Sequence, residues 1–543
     1  MKKGLGVIIY LLYIAGYYYV MLPPMNWHAP EFWQFLVFCL LPLLVVAFMF
    51  ALGKVGLEKF KYRNTIVLEN SKWKRLAQVS GVMIVCIFLI PMISAGITSR
   101  FFHAKEYATR IEPKEVDFTE IPEVDFTKTP IIDRDSSQRL GDKVMGNMTE
   151  WVSQFDVSSE YTQVSYKDSV YRVTPLTYNG FIKYFKNRKE GIPAYITVDS
   201  TNGQTSLVKL QDLGLGGMKY VPSAMFHENL MRHLRFNYPT EIFGSPSFEV
   251  DEEGHPWYIC TTYTYKGVGT QKKVTGAIFL DPISGKSKKY DVGEIPSWAD
   301  RVYPESLLVE ELDDNGSLQD GFINSKFGQN GVTVTSQGYN YLEKDGDIWL
   351  YSGITSANAD ESNLGFVLVN MRTHEAMKIK TAGANEISAM KSAEAEVKNY
   401  GYASTFPLLI NVEGNPVYLM SLKDNGLIKM YAMVSAIDYQ KVVTINSDEP
   451  FTTLTDKMLR VLGVEEKVEE KNTEEKKIHV SEIETAIIDG NTWYYLKDED
   501  DKVYKCKLTS NTENSLVFLK VKTDVKIRYV SSDGIQEIIQ FIQ

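Results

Sequence analysis

Hydrophobic positions follow two regimes along this chain. Up to Ile97 they form long uninterrupted runs, from Gly4 to Met21, Phe32 to Leu52 and Ala77 to Ile97; beyond Phe101 they form short alternating strings broken by turns. An α-helix needs about 20 apolar residues to cross about 30 Å of hydrocarbon, so the runs predict three transmembrane helices in a membrane domain over residues 1–99. A cleaved signal peptide is the alternative for the first run, since Lys2 and Lys3 precede it. Tyr17-Tyr18-Tyr19-Val20-Met21 offers no small-residue cleavage site, however, and two further runs follow.

Charge orients these runs. Gly53 to Leu76 carries Lys54, Lys59, Lys61, Arg63, Lys72, Lys74 and Arg75, whereas Leu22 to Glu31 carries no Lys or Arg. Basic loops stay on the cytoplasmic side, which predicts a cytoplasmic amino terminus and an extracytoplasmic segment over residues 98–543. Tyr17 to Tyr19, Trp27, Trp33 and Trp73 fall near run ends, where amphipathic rings favour the interface. Pro42 and Pro91 lie within runs without an ionisable companion, so no ion path is visible and a transporter is disfavoured.

Outside the membrane the alternation predicts an α+β fold. Residues 100–150 read as an extended lead-in and a short helix. Their small echo, Val116-Asp117-Phe118-Thr119 and Val124-Asp125-Phe126-Thr127, favours solvated strand faces over a calcium role for Asp117 and Asp125. A larger echo dominates the rest. Glu253-Gly254-His255-Pro256-Trp257-Tyr258 returns as Glu413-Gly414-Asn415-Pro416-Val417-Tyr418. Its flanks match in order, including helices at Ser223 to Phe236 and Asn385 to Lys398, opened by Ser223-Ala224-Met225 and Ser388-Ala389-Met390. The chain therefore reads as one unit used twice, over residues 151–295 and 335–464. An insertion at 296–334 separates the copies, with a short helix near Glu305 to Glu311 and a turn-rich tract at Asp313-Asp314-Asn315-Gly316. That tract fails as a calcium loop, because Leu318 and Asn324 stand where glycine and a bidentate Glu are needed. Glycine and proline explain the Glu-Gly-x-Pro segments as tight hairpins.

Four segments, starting at Ala194, Ala277, Gly365 and Ala432, share an apolar strand, a turn and a second strand rich in Lys, Val and Tyr. Ala277-Ile278-Phe279-Leu280-Asp281-Pro282-Ile283-Ser284-Gly285-Lys286 resembles the strand, Asp and turn-glycine ending of PepSY modules, and Val198 to Gln204 is similar. Asn370 to His374 and Ile437 to Gln440 lack the glycine. The resemblance implies helix-on-sheet units that act in interaction or regulation, without catalytic residues.

Residues 465–477 hold six Glu and four Lys and read as a charged linker. Residues 478–543 follow as five short strands, Val480 to Ile488, Thr492 to Leu496, Val503 to Leu508, Val525 to Val530 and Gln536 to Ile542, with an Asp489-Gly490-Asn491 turn. This pattern resembles a small OB barrel, whose family binds nucleic acid or sugars. Trp493, Tyr495 and Tyr504 are the candidate interaction residues, able to stack on a base. From Ile478 onward, eight Lys and Arg face eleven Asp and Glu, so nucleic acid is disfavoured.

Candidate chemistry adds little. Cys39 and Cys86 fall in apolar runs, and Cys260 and Cys506 stand alone, so no disulfide framework is implied. His227 and His233, expected on one helix, are six apart and on different faces. No metal, nucleophile-elbow or phosphate-loop motif occurs, and Gly267-Val268-Gly269 reads as a hairpin loop. No catalytic, cofactor or metal residue is therefore expected. The sequence predicts a non-enzymatic, membrane-anchored extracytoplasmic protein of a bacterial envelope that binds or scaffolds other proteins through its duplicated ectodomain, in contact with the lipid bilayer and with other envelope proteins or itself. The alternatives are a cell-wall hydrolase with a polar cluster between the copies, or a membrane-tethered polysaccharide or nucleic-acid binder using the barrel.

Overall fold

A computed structural model of the chain describes residues 2–61, 71–167, 169–357, 362–381, 383–464, 473–488, 491–508, 512–532 and 535–542. The chain divides into two compact units, Met1–Leu462 and Gly463–Gln543. The first opens with helices Lys2–Met21, Pro30–Lys61 and Ser71–Ile97. Among the described residues, one of them is long and apolar enough to cross a membrane, over Gln78–Ile97; Leu5–Met21 and Pro30–Val46 are shorter apolar helices. The three expected crossings thus reduce to one by this measure, because the first run stops at Met21 and the second is described as apolar only to Val46. Arg63 of the basic loop lies outside the described residues.

The ends of these helices are fastened to the rest of the unit. Leu22 sits in the left-handed region at φ 51°, closing the first helix. Its carbonyl accepts Nε of the buried Arg235 at 3.0 Å, and the Tyr19 carbonyl accepts Nε of Arg232 at 3.2 Å. Cationic donors on the last carbonyls of a helix satisfy orphan acceptors and suit its dipole. Pro23, Pro24 and Ala29 are buried in this joint. The Gly267-Val268-Gly269 hairpin loop is the other half of the joint: Gly269 N–H donates to the His28 carbonyl at 3.0 Å, and Thr98 Oγ1 bonds Thr270 Oγ1 at 2.6 Å. A Cβ on Gly267 would strike Thr98, and one on Gly269 would strike Pro30. These glycines therefore permit close approach to the helix ends.

Beyond the helices lie four antiparallel sheets with the same plan. In each, two short leading strands pair with one long third strand, the fourth pairs with the third, and the fifth with the fourth. The first sheet comprises Phe155–Val157, Thr162–Tyr166, Ser169–Tyr178, Ala194–Asp199 and Thr205–Lys209. The second comprises Ile242–Phe243, Ser247–Val250, Pro256–Tyr265, Lys272–Leu280 and Ser287–Asp291. The third comprises Thr333–Thr335, Asn340–Lys344, Asp347–Ser356, Ser362–Asn370 and Ala376–Ile379, extended by Lys114–Val116 and Gly383–Ala384. The fourth comprises Ala403–Ser404, Leu408–Val412, Asn415–Asp424, Leu427–Ser435 and Val442–Asn446.

The Glu-Gly-x-Pro echo is the turn between second and third strands in the second and fourth sheets. Glu413 and Gly414, at φ 46° and 79°, form a two-residue turn suited to the strand twist, whereas Val250 pairs with Pro256 across a longer loop. The four segments of shared pattern are the fourth strands and the turns after them. Asp199, Asp281 and Asn370 each accept backbone N–H groups two residues on. Gly203, Gly285 and His374 then take the left-handed position at φ 75°, 75° and 67°. His374 bears that conformation because its ring stacks on Tyr303 and bonds Glu311 at 2.7 Å. In the fourth sheet the equivalent residue is Ser435, whose hydroxyl accepts from Ile437 and Asp438 N–H, so Ile437-Asp438 is not the matching pair.

Several helices differ from expectation. Phe226–Glu228 is a separate turn before helix Leu230–Asn237, so His227 and His233 do not share an element. The first of the paired helices starts at Asn229 rather than Ser223, whereas the second starts at Asn385 as expected, and each Asn caps the backbone N–H three residues on. The Asp313-Asp314-Asn315-Gly316 tract is helical within Glu305–Leu318, not a turn. Tertiary partners override its weak propensity: Asp314 pairs with Arg100 and Arg110, and Asn315 Nδ2 reaches the Ala108 and Ile111 carbonyls. The lead-in opens with helix Arg100–Ala108 rather than an extended segment.

Each sheet is apolar on both faces. Tyr258, Cys260, Ile278 and Leu280 of the second sheet join a core with Val164, Val173 and Leu176 of the first, while Ile259, Ala277 and Phe279 join a core with Leu350, Val367 and Val369 of the third. Trp349, Phe366 and Leu368 then pack with Leu409, Tyr418 and Val434 of the fourth. The outer face of the fourth is covered by helix Phe451–Leu462 and by Val124, Phe126 and Ile131 of the lead-in. The lead-in is a strap: Val124 N–H donates to the Asn411 carbonyl, Lys423 pairs with Asp133 at 2.7 Å, and Ile132 N–H reaches the Ser200 carbonyl of the first sheet. Asp125 is held by Thr127 within the strap.

The second unit is a closed barrel of Thr473–Ile488, Asn491–Asp498, Val503–Lys507, Ile535–Ile542 and Asp524–Ser532, in that order around the ring. Its first strand starts inside the expected linker, because Glu475 pairs with Lys526 and Arg528, and Lys477 with Asp524, across Asp524–Ser532. The remaining linker, 465–472, and Asp489-Gly490 of the expected turn lie outside the described residues.

Replacing Arg235 by Met should unseat the first helix, because three carbonyls, of Leu22, Tyr238 and Glu241, lose their charged donor. A loss of about 2–4 kcal/mol is expected, measured as faster proteolysis in the Leu22–Glu31 loop.

Candidate functional site: a central polar pocket

The two short leading strands of each sheet are separated by a break. All four breaks converge on one pocket of about 560 Å³, through Glu160 to Thr162, Ser245 to Ser247, Tyr339 to Tyr341 and Ser404 to Phe406. Blades of antiparallel strands presenting their leading strands to a common centre have the arrangement of a small propeller. The joint before helix Glu305–Leu318 adds Asp300, Arg301 and Glu305, and the strap adds Asp133 to Asp135.

Most charges here are neutralised by a neighbour. Arg301 forms a two-point pair with Glu305, through Nε at 2.8 Å and Nη2 at 2.5 Å, and Tyr341 donates to the same carboxylate at 2.8 Å. Burial would raise Glu305, but Arg301 and Tyr341 hold it below the usual carboxylate range. Lys423 is paired with Asp133, and Arg134 lies 3.9 Å from Glu160. Arg172 is different: it is buried, it has no ion-pair partner among the described residues, and its Nε reaches only the Ile132 carbonyl at 3.4 Å. Burial lowers its pKa accordingly.

Directly across the ladder from Arg172 stands Gln163. Gln163 is 6% exposed, and neither its Oε1 nor its Nε2 has a partner. The Tyr161 hydroxyl is also buried without a partner, lodged against Gly141 of helix Arg134–Gly146, and burial raises its pKa. An unmet buried amide costs about 1–3 kcal/mol, and an uncompensated buried cation more. Such costs cluster more often at functional sites than elsewhere on a protein.

Two buried carboxyls, Asp300 in the lining and Glu249 bonded to its backbone, adjoin the strand that carries Gln163. Asp300 Oδ2 accepts Ser165 N–H at 2.7 Å, and Glu249 accepts the N–H groups of Asp300 and Arg301 at 2.9 and 3.3 Å. Burial, reinforced by neighbouring Glu249, pushes Asp300 well above the usual carboxylate range; burial likewise raises Glu249. Among the described residues no cluster of His, Cys, Asp and Glu is arranged to hold a metal.

None of these pocket residues is among the sequence candidates, which lie in the barrel. Tyr504 is fully buried there, its hydroxyl 3.0 Å from Lys476 Nζ, and cannot stack on a ligand. Trp493 and Tyr495 alternate with the core residues Tyr494 and Leu496 and so face outward, half-buried, with Lys505 Nζ 4.8 Å from the Trp493 ring centre. The pocket did leave a trace in sequence: Arg172 interrupts the strand Ser169–Tyr178 at a position flanked by Tyr171 and Val173.

No family model matches the chain, and no curated protein matches it. Among solved structures, a crystal structure of an ACO/RPE65 chimera aligns with 71% of this chain and 65% of its own at 8% identity. The TM-score of 0.13 is too low to indicate a shared fold.

Two substitutions test the pocket. Gln163→Leu should stabilise the protein by about 1–2 kcal/mol in urea melts, since it removes unmet polar atoms without opening a cavity. Asp300 and Glu249 have folded pKa values above their unfolded ones, so they withdraw stability as pH rises above about 4. Asp300→Asn should therefore raise the urea midpoint at pH 7 and leave it unchanged near pH 3.

Proposed function

We propose that this protein is a membrane-anchored extracytoplasmic binding protein whose central pocket captures a small polar ligand bearing an anionic group. The observation that carries this reading is the Arg172–Gln163 pair: a buried guanidinium with no ion-pair partner among the described residues, opposite a buried amide whose side-chain atoms have no hydrogen-bond partner there. A carboxylate or phosphate would neutralise the first and bond the second. Tyr161, Tyr339 and Tyr341 supply flat amphipathic walls for the ligand body.

The membrane reading keeps all three apolar helices as spans, with a cytoplasmic amino terminus. Its support is the fastening of the Leu22–Glu31 loop, which carries no Lys or Arg, and of the end of helix Ser71–Ile97 to the same end of the second sheet. The barrel strand order, with parallel pairing of its third and fifth strands, supports an OB-like second domain. PepSY-like character rests on the fourth strands and their turns. Protein scaffolding remains compatible with both.

A second reading is favoured by Asp300 and Glu305, two carboxyls of one pocket whose pKa values are pushed in opposite directions. That division is how hydrolases separate an acid from an ionised partner. The two readings separate on Asp300→Asn: a binding protein keeps its ligand response unchanged in kind, whereas a hydrolase holds the ligand unconverted.

Native mass spectrometry of the protein extracted from its own membranes should release a small anion from the wild type and none from Arg172→Met. Thermal shifts with a panel of carboxylates and sugar phosphates provide a second readout. A panel that shifts neither protein, with no released ligand, overturns the reading.

A further inference from the structure

In the first unit beyond the apolar helices, residues 98–462, exposed phenylalanines are not scattered. All those among the described residues fall into two groups, each joined to the end of a different membrane helix. The first group is built on helix Phe181–Asn187. Phe181 and Phe185 stack edge to face at 4.7 Å, and Phe185 meets Phe226 at 6.0 Å. Ile182 beside them is 77% exposed. Arg232 ties this group to the first helix, because its guanidinium donates both to the Phe226 carbonyl at 2.6 Å and to the Tyr19 carbonyl, and lies 4.2 Å over the Tyr19 ring. The exposed Phe236 continues the surface, with its ring 5.8 Å from Tyr18 and 6.2 Å from Tyr19.

The second group follows helix Ser71–Ile97. Phe101 and Phe102 come directly after its end, and Phe101 packs against Phe322 at 5.4 Å. Ile323 and Phe327 extend it, and Phe327 is 83% exposed. Apolar side chains this large and this exposed are costly in water, and a contiguous set marks a contact surface. The two groups sit where the helices leave the bilayer, the depth at which aromatic side chains favour the lipid interface.

Charge points the same way. Lys183, Lys186 and Lys189 punctuate the first group and have no ion-pair partner among the described residues; Lys105 and Lys326 do the same for the second. An apolar face flanked by unpaired lysines is the pattern of an element that lies in the membrane surface and meets anionic headgroups.

We infer that the ectodomain rests on the outer leaflet through two aromatic pads, Phe181, Ile182, Phe185 and Phe226 on one side and Phe101, Phe102, Ile323 and Phe327 on the other, with anionic lipid as the partner. The pads fix the tilt of the pocket-bearing sheets over the bilayer, which a single tether at the helix ends could not do. This inference rests on the membrane reading above.

The test uses the full chain in nanodiscs of phosphatidylcholine with phosphatidylglycerol. Benzoylphenylalanine, which crosslinks to neighbouring C–H bonds under light, replaces Phe185, Phe327, Ile90 or Ile437 in turn, and adducts are read by mass spectrometry. Ile90 lies in helix Ser71–Ile97, and Ile437 is exposed in the turn after the fourth strand of the fourth sheet. Lipid adducts are expected at 185, 327 and 90 and not at 437. The yield at 185 should fall about twofold or more when phosphatidylglycerol is omitted. Lipid adducts at 90 with none at 185 or 327, or with adducts there to protein alone, overturn the pads and leave membrane anchoring intact. Absence of lipid adducts at 90 overturns the membrane reading itself.

Discussion

The architecture of the first unit depends on one constraint: its sheets are apolar on both faces. A sheet with one solvated face can end a stack, but a sheet with two apolar faces must be covered twice. Four such sheets packed in series leave two uncovered faces at the ends. The strap from Val124 to Ile132 resolves this, since Ile131 reaches the cores of both the first and the fourth sheet, and helices Arg134–Gly146 and Phe451–Leu462 close what remains. Closing the series around a centre is what creates the pocket. The breaks between leading strands have no ladder partner and turn inward, bringing polar residues from distant parts of the chain to one place.

The same closure explains why the pocket stores unfavourable electrostatics. Arg172 and Gln163 sit on a strand pair whose alternate residues, Val164 and Val173, are fixed in the core between the first two sheets. In the ladder Gln163 pairs with Arg172 and Val164 with Tyr171, so the backbone pairing holds both polar side chains in place. Asp300 is held by Ser165 N–H of the first sheet, and Glu249 by the Asp300 and Arg301 N–H groups of the joint between the second and third sheets. The site is rigid by construction, and its unmet partners are a property of the fold rather than of a mobile loop.

The fastening of helix ends gives this rigid body a defined seat. Arg232 and Arg235 each bind helix-end carbonyls with the same guanidinium that organises the second sheet's approach, so the joint is a charged clasp instead of a flexible tether. Exposed aromatic groups, Phe181, Phe185 and Phe226 on one side and Phe101, Phe102 and Phe327 on the other, flank that clasp. Pocket, clasp and aromatic groups lie on elements connected through the second sheet, whose hairpin loop at Gly267 to Gly269 could make this contact only with glycine.

Local chemistry was legible in the sequence. Apolar runs marked the helices, alternation marked the strands, the Glu-Gly-x-Pro segments marked hairpins, and the four strand-and-turn segments marked the fourth strand of every sheet, because periodicity and positive-φ turns are written in neighbouring residues. Where the left-handed position passed from glycine to His374, or the turn acceptor from Asp to Ser435, the pattern faded, since those residues answer to Tyr303, Glu311 and a longer turn. The same limit hid the helical state of Asp313 to Gly316 and the strand state of Thr473 to Lys477, both decided by cross-chain ion pairs. Above all, sequence spacing carried no sign that Glu160 to Gln163, Ser245, Tyr341 and Phe406 share one cavity. The sequence by itself marked the apolar helices and the strand-and-turn pattern that recurs in all four sheets; only closure of the sheets determined the site, because a pocket made from four breaks exists only when all four are brought to a common centre.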